Sequence, residues 1–195
     1  MHPSWQNILR KYCNKPLYVK GVKTQPIFSL SAKLKYNGRA GSIRFSWEDI
    51  NTKRDPGLIW HKSYNPEKTS YAGATEVFLE LPSDKCYFKL FTAGNFVKFF
   101  YSLHPLRKRF GDPYFDNLFV LLEKPNGAIQ PVFNRLQLLI MFEWHKSMFL
   151  TTDFIDPATV KNYLHLRIYK LIFSESDLEA IFKYCDDLIT ELYRY

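Results

Sequence analysis

Two arms of strict alternation constrain this chain more than any other feature in it. Leu30, Ala32, Leu34 and Tyr36 recur at every second position on one side of "NGRAG", and Ile43, Phe45 and Trp47 do so on the other. Successive side chains of a strand point to opposite faces, so a period of two on both sides of a glycine-containing loop predicts an antiparallel hairpin with one buried face. The opposite face then carries Lys33, Lys35 and Arg44, with Arg39 in the loop. Two registers satisfy the apolar pattern, one setting Lys35 across from Arg44 and the other setting Lys33 there. Either register opposes like charges, at a cost of roughly 0.2–1 kcal/mol. Salt screens such a pair in water, and a polyanion laid across the strands turns the same pair into a binding surface.

The remaining elements are read in the same way. A first helix is expected after Ser4, where Trp5, Ile8, Leu9 and Tyr12 fall on one face. "TEVFLEL" and "CYFKLFT" read as a second hairpin around "PSDK", with Leu81 facing Cys86. Asn95 opens a helix with Phe96, Phe99, Phe100 and Leu103 as its apolar face, and Pro105 ends it. "LFVLLE" is apolar on both faces, as a central strand is. A helix is expected over about 135–149, while 157–173 fits a helix start and a strand alternation alike. "SDLE" then reads as a capping box, and Leu178, Ile181, Phe182, Cys185, Leu188, Ile189 and Leu192 form the stripe of a closing helix. Together these elements predict one α+β domain over residues 1–195. Its hairpin-rich N-terminal two-thirds would form a mixed or antiparallel sheet, packed by a helix-rich C-terminal third, with any subdivision falling near 134 (1–133 β-rich, 134–195 helix-rich).

The balance of charge bears on partners. The chain has 27 Lys and Arg against 19 Asp and Glu, a formal net charge of +8. That excess favours nucleic acid, DNA or RNA, as partner and an acidic protein as the alternative. In the polar stretch 48–74, Trp60, Tyr64 and Tyr71 interleave with Lys53, Arg54, His61, Lys62 and Lys68. Rings of this kind stack on unpaired bases while the cations hold phosphates. The run "HPLRKRFGDPYFDN" has two readings. Arg107, Lys108 and Arg109 suit the last turn of a helix capped by Gly111 and stopped by Pro113, and they also suit a phosphate-gripping turn.

Catalytic chemistry has thinner support. His61 as a general base, and Asp112 with Asp116 as carboxylates that would hold Mg²⁺ in a nuclease, are the candidates. Yet no acidic residue stands two positions before a lysine, the arrangement a restriction-type nuclease uses on one strand face. Glu76 and Glu80 would share a strand face, but four residues of strand span roughly 13 Å, too far for a paired-carboxylate glycosidase. The five histidines are scattered, and no dinucleotide or phosphate-binding glycine loop is present, so no cofactor is implied. Cys13, Cys86 and Cys185 do not form a disulfide framework, the start lacks a signal-peptide pattern, and no apolar run reaches the ~18 residues of a membrane span. The expectation is a cytoplasmic nucleic-acid-binding protein. Lys33, Lys35, Arg39, Arg44 and Arg107–Arg109 would contact phosphates, with the long aromatic and basic loop that holds Trp60 and Lys62 as the base-contact element. The alternatives are a module docking an acidic protein and a divergent nuclease or nucleotide-modifying enzyme.

Overall fold

The computed structural model describes residues 3–12, 16–19, 27–49, 71–83, 86–92, 94–124, 129, 132–133, 148–156 and 161–194. The described strands are β1 (Pro16–Val19), β2 (Ile27–Tyr36), β3 (Arg39–Asp49), β4 (Tyr71–Glu80), β5 (Tyr87–Thr92), β6 (Arg107–Lys108), β7 (Phe119–Lys124), β8 (Met148–Asp156) and β9 (Lys161–Ile168). They form one sheet in the order β1-β2-β3-β4-β9-β8-β5-β7-β6. Every pairing in it is antiparallel. The described helices are α1 (Pro3–Tyr12), α2 (Asn95–Ser102), α3 (Pro113–Leu118) and α4 (Glu175–Leu192). The architecture is α+β, with α4 packed against the sheet.

The first hairpin forms where the alternation requires it, with a tighter turn than expected. Asn37 and Gly38 alone make the turn, with φ of 46° and 87°. A two-residue turn with both residues left-handed matches the natural twist of paired strands, and Asn-Gly supplies it at least strain. Arg39 therefore belongs to β3 and not to a loop.

The second expected hairpin does not form. β4 pairs with β3 and β9, while β5 pairs with β7 and β8, so two strands from the end of the chain separate them. Residues on either side of 134 thus share one sheet. The segment 157–173 resolves as strand over Lys161–Ile168, and Met148–Asp156 is strand where the end of a helix was expected. The rest of that expected helix, 135–147, lies outside the described residues.

α1 and α4 cover one face of the sheet, here called the inner face. The Trp5 ring stacks on Phe45 at 4.1 Å and on Phe173 at 5.2 Å, and its Nε1–H donates to the Ile172 carbonyl at 2.6 Å. The stripe of α4 is buried from Leu178 through Ile189, as its spacing requires. Its N-cap is Ser174, whose Oγ accepts from Asp177 N–H, two residues before the serine of the expected capping box. β7 lies next to the β6 edge rather than at the centre, yet Phe119 to Glu123 are all buried.

Gly41 is required by close approach. A Cβ there would meet the Phe78 carbonyl oxygen at 2.2 Å and Leu79 Cδ2 at 2.8 Å. Gly41→Ala is expected to lower stability by about 1–3 kcal/mol or more, because backbone and not a flexible side chain must move. A urea midpoint equal to that of the parent protein would contradict this packing.

Candidate functional site

The opposite, outer face of the sheet gathers charge through cross-strand register. Arg44 lies beside Ser31 of β2 on one side and Glu76 of β4 on the other, and Glu76 lies beside Arg167 of β9. One row therefore reads Ser31–Arg44–Glu76–Arg167, a carboxylate between two guanidiniums. The adjacent row reads Lys33–Ser42–Phe78–His165–Thr151. Lys33 faces Ser42 and Lys35 faces Ala40, so neither expected register occurs and the like charges are offset. The short Asn-Gly turn is the reason.

Glu76 is the hub. Its Oε1 is 3.1 Å from His165 Nε2 and 4.0 Å from Arg167 Nε, and its Oε2 is 3.8 Å from Arg44 Nη1. Glu76 is 6% exposed and His165 9%. Burial pushes the Glu76 carboxyl up, but the hydrogen bond from His165 and the charges of Arg167, His165 and Arg44 together outweigh it and hold the group below its ordinary range. The carboxylate attracts both arginines electrostatically without hydrogen-bonding either, and their outer parts stay accessible. The Arg44 and Arg167 side chains are 49% and 36% exposed.

A β-bulge completes the setting. The β8–β9 register shifts between Thr151 and Phe154. There Thr151 Oγ1 donates to the Phe88 carbonyl, and Thr152 Oγ1 donates to the Cys86 carbonyl and accepts from Phe88 N–H, so hydroxyls hold β5 where the ladder is irregular. The extra residue turns Phe154 to the outer face, opposite Tyr163. The His165 ring is consequently packed by Phe78 at 4.3 Å, Phe154 at 5.4 Å and Phe149 at 5.8 Å. Arg44 also lies 5.6 Å over Phe78, and Arg167 lies 4.7 Å over Tyr169. The arrangement presents guanidiniums over aromatic rings beside a carboxylate, a surface suited to binding anions.

The sequence-predicted residues are divided by the fold. Lys33, Lys35 and Arg44 remain on the outer face, all exposed. Arg39 is drawn to the inner side, where its Nε donates to Asp186 at 2.7 Å and its Nη2 to Thr190 at 3.4 Å, clasping the hairpin to α4. Arg107 and Lys108 form the edge strand β6, with Arg109 just beyond. In the strand order seven steps separate β2 from β6, roughly 34 Å at about 4.8 Å a step.

The run that opens with His104 is therefore not a helix end. Gly111 does adopt the expected left-handed conformation, with φ of 81°. Asp112 caps α3 by accepting from Tyr114 N–H and Phe115 N–H, and Asp116 accepts from Phe110 N–H and Gly111 N–H. Both carboxylates are thus engaged in shaping the backbone. Trp60, His61 and Lys62 lie outside the described residues.

Sequence reasoning missed Glu76, His165 and Arg167 as a group. The alternation of "YLHLRIYKLI" sets His165 and Arg167 on one face, but their partner Glu76 is 89 residues from His165. Among the described residues no group of His, Cys, Asp or Glu could hold a metal ion, and no helix is long and apolar enough to cross a membrane. Compared with known proteins, the chain matches no family model, no curated protein and no solved structure.

The Glu76 hub has a pH signature. A carboxylate whose folded pKa is depressed contributes stability that is complete above its unfolded value and is lost as pH falls through the folded one. Urea midpoints of the parent protein should therefore fall on acidification through and below the ordinary carboxylate range, and Glu76→Gln should flatten that fall. At neutral pH Glu76→Ala should cost about 1–3 kcal/mol, because His165 loses its buried partner. Superimposable acid limbs for parent and Glu76→Gln would contradict the assignment.

Proposed function

We propose that this protein binds nucleic acid across the outer face of β2, β3 and β9, with Lys33, Lys35, Arg44 and Arg167 contacting phosphates. The observation that carries the reading is the register. Four cations stand on one face of three strands, and the row that holds two of them has Glu76 as its one carboxylate. Lys33 and Lys35 make no ion pair among the described residues, so their charge is available to an incoming anion. They are two residues apart on one strand, about 7 Å, which lets them contact neighbouring phosphates.

The connection between β3 and β4 contains Trp60 and Lys62, which would add base stacking and a further phosphate contact. Arg39 and Arg107–Arg109 are not part of this surface, the first because it clasps α4 and the others because they stand at the far edge.

The test is binding to labelled single- and double-stranded DNA and RNA across a salt series. Lys35→Glu should weaken binding and reduce the slope of log K against log salt by about one or more. Lys183→Glu, an equal charge change on α4, should leave both nearly unchanged. Absence of binding at low salt, or equal losses in the two variants, would reject the reading.

A further inference from the structure

At the other end of the sheet the chain leaves apolar surface open beside two arginines and a single carboxylate, Asp116. Phe99 and Phe100 of α2 are 69% and 61% exposed, and Leu103, just past its end, is 86% exposed. On a helix, residues four apart are neighbours, so Phe99 and Leu103 share one surface patch. Three residues of the expected apolar face, Phe99, Phe100 and Leu103, thus point outward. Exposed apolar clusters beside polar residues mark interaction surfaces.

The patch borders a groove of about 610 Å³ whose lining includes Lys98, Phe99, Ser102, Arg107 and Arg109. Arg107 Nη2 donates to the Phe119 carbonyl at 3.1 Å, but Nη1 is buried with no hydrogen-bond partner. Arg109 is exposed, and neither arginine makes an ion pair among the described residues. Asp116, the carboxylate in the groove, uses its oxygens on the Phe110 and Gly111 amides. The Arg107 guanidinium in the groove wall, with the exposed Arg109 beside it, makes a cationic lining that is the complement of a carboxylate.

We propose that this groove docks an acidic, amphipathic segment of a partner protein. Carboxylates of the segment meet Arg107 and Arg109, and its apolar side chains cover Phe99 and Leu103. Charge complementarity alone would also admit a nucleic acid. A phosphate backbone, however, satisfies the guanidiniums and leaves an aliphatic side chain such as Leu103 in water, whereas an apolar residue of a peptide covers it. The site is separate from the β2–β3–β9 face and does not depend on what that face binds.

Fluorescence anisotropy with a labelled synthetic peptide alternating Glu with Leu and Phe tests the proposal on the full chain. Two further probes accompany it: the same peptide with Ser in place of Leu and Phe, and a labelled single-stranded oligonucleotide. The Glu/Leu/Phe peptide should bind, and the Ser version should bind about tenfold more weakly or not at all. Leu103→Ser with Phe99→Ser should cause a comparable loss, as should Arg109→Glu, while Lys35→Glu should leave peptide binding unchanged. These substituted side chains are exposed, and an unchanged far-UV circular dichroism spectrum separates loss of docking from loss of fold. Equal binding of the two peptides would overturn the proposal. So would oligonucleotide binding that the Leu103→Ser, Phe99→Ser variant abolishes, or a concentration-dependent dimer that the same variant dissolves.

Discussion

The pairing of β4 with β9 is the constraint on which the rest of this structure depends. Thr75 to Glu80 register against Tyr163 to Ile168, joining the N-terminal meander to strands formed late in the chain. The same pairing sets Glu76 between Arg44 and Arg167, and Phe78 beside His165. Thr75 reinforces it by donating to the Lys170 carbonyl and accepting from Ile172 N–H, which leads the chain from β9 into α4. Without this seam neither the inner core under α4 nor the charged row on the outer face would exist. Closing it brings together residues about ninety positions apart, which makes it an entropically costly and slow step in folding.

Charge in the folded chain falls into two kinds. Lys11 with Glu179, Lys89 with Asp153, Lys161 with Glu80 and Lys183 with Asp187 are surface pairs, each worth little to stability. Arg39 with Asp186 is less exposed and ties the tip of the first hairpin to α4. Among the described residues two further groups of cations stand out: Lys33, Lys35, Arg44 and Arg167 on the outer face that holds Glu76, and Arg107 with Arg109 at the β6 edge. These two groups of described cations lie on surfaces of different character. One lies on a sheet face floored by aromatic rings, and the other lies beside exposed aliphatic and aromatic side chains.

Much of the local structure was legible in the residue pattern. The first hairpin, α1 and α4 follow directly from periods of two and 3.6, because each has one face that must be buried and one that must not. The second hairpin was misread for the same local reason. "PSDK" is a good turn between two alternating runs, but β9 and β8 come between β4 and β5 in the sheet, an order that no run of neighbouring residues encodes. The run Arg107–Arg109 was misread because cations before a glycine fit a helix end and a strand end alike. α2 satisfied the helical period and still exposed Phe99 and Leu103, since period says where a stripe lies and not whether anything covers it.

By itself, then, the sequence determined which side of each strand and helix carries apolar atoms, where the Asn-Gly turn falls, and how much positive charge the surface must hold. Only the tertiary structure decided which strands are neighbours, and so which charges meet. Alternation is a property of consecutive residues, imposed by backbone geometry, whereas the meeting of Glu76, His165, Arg44 and Arg167 depends on strand order, which local energetics leave open.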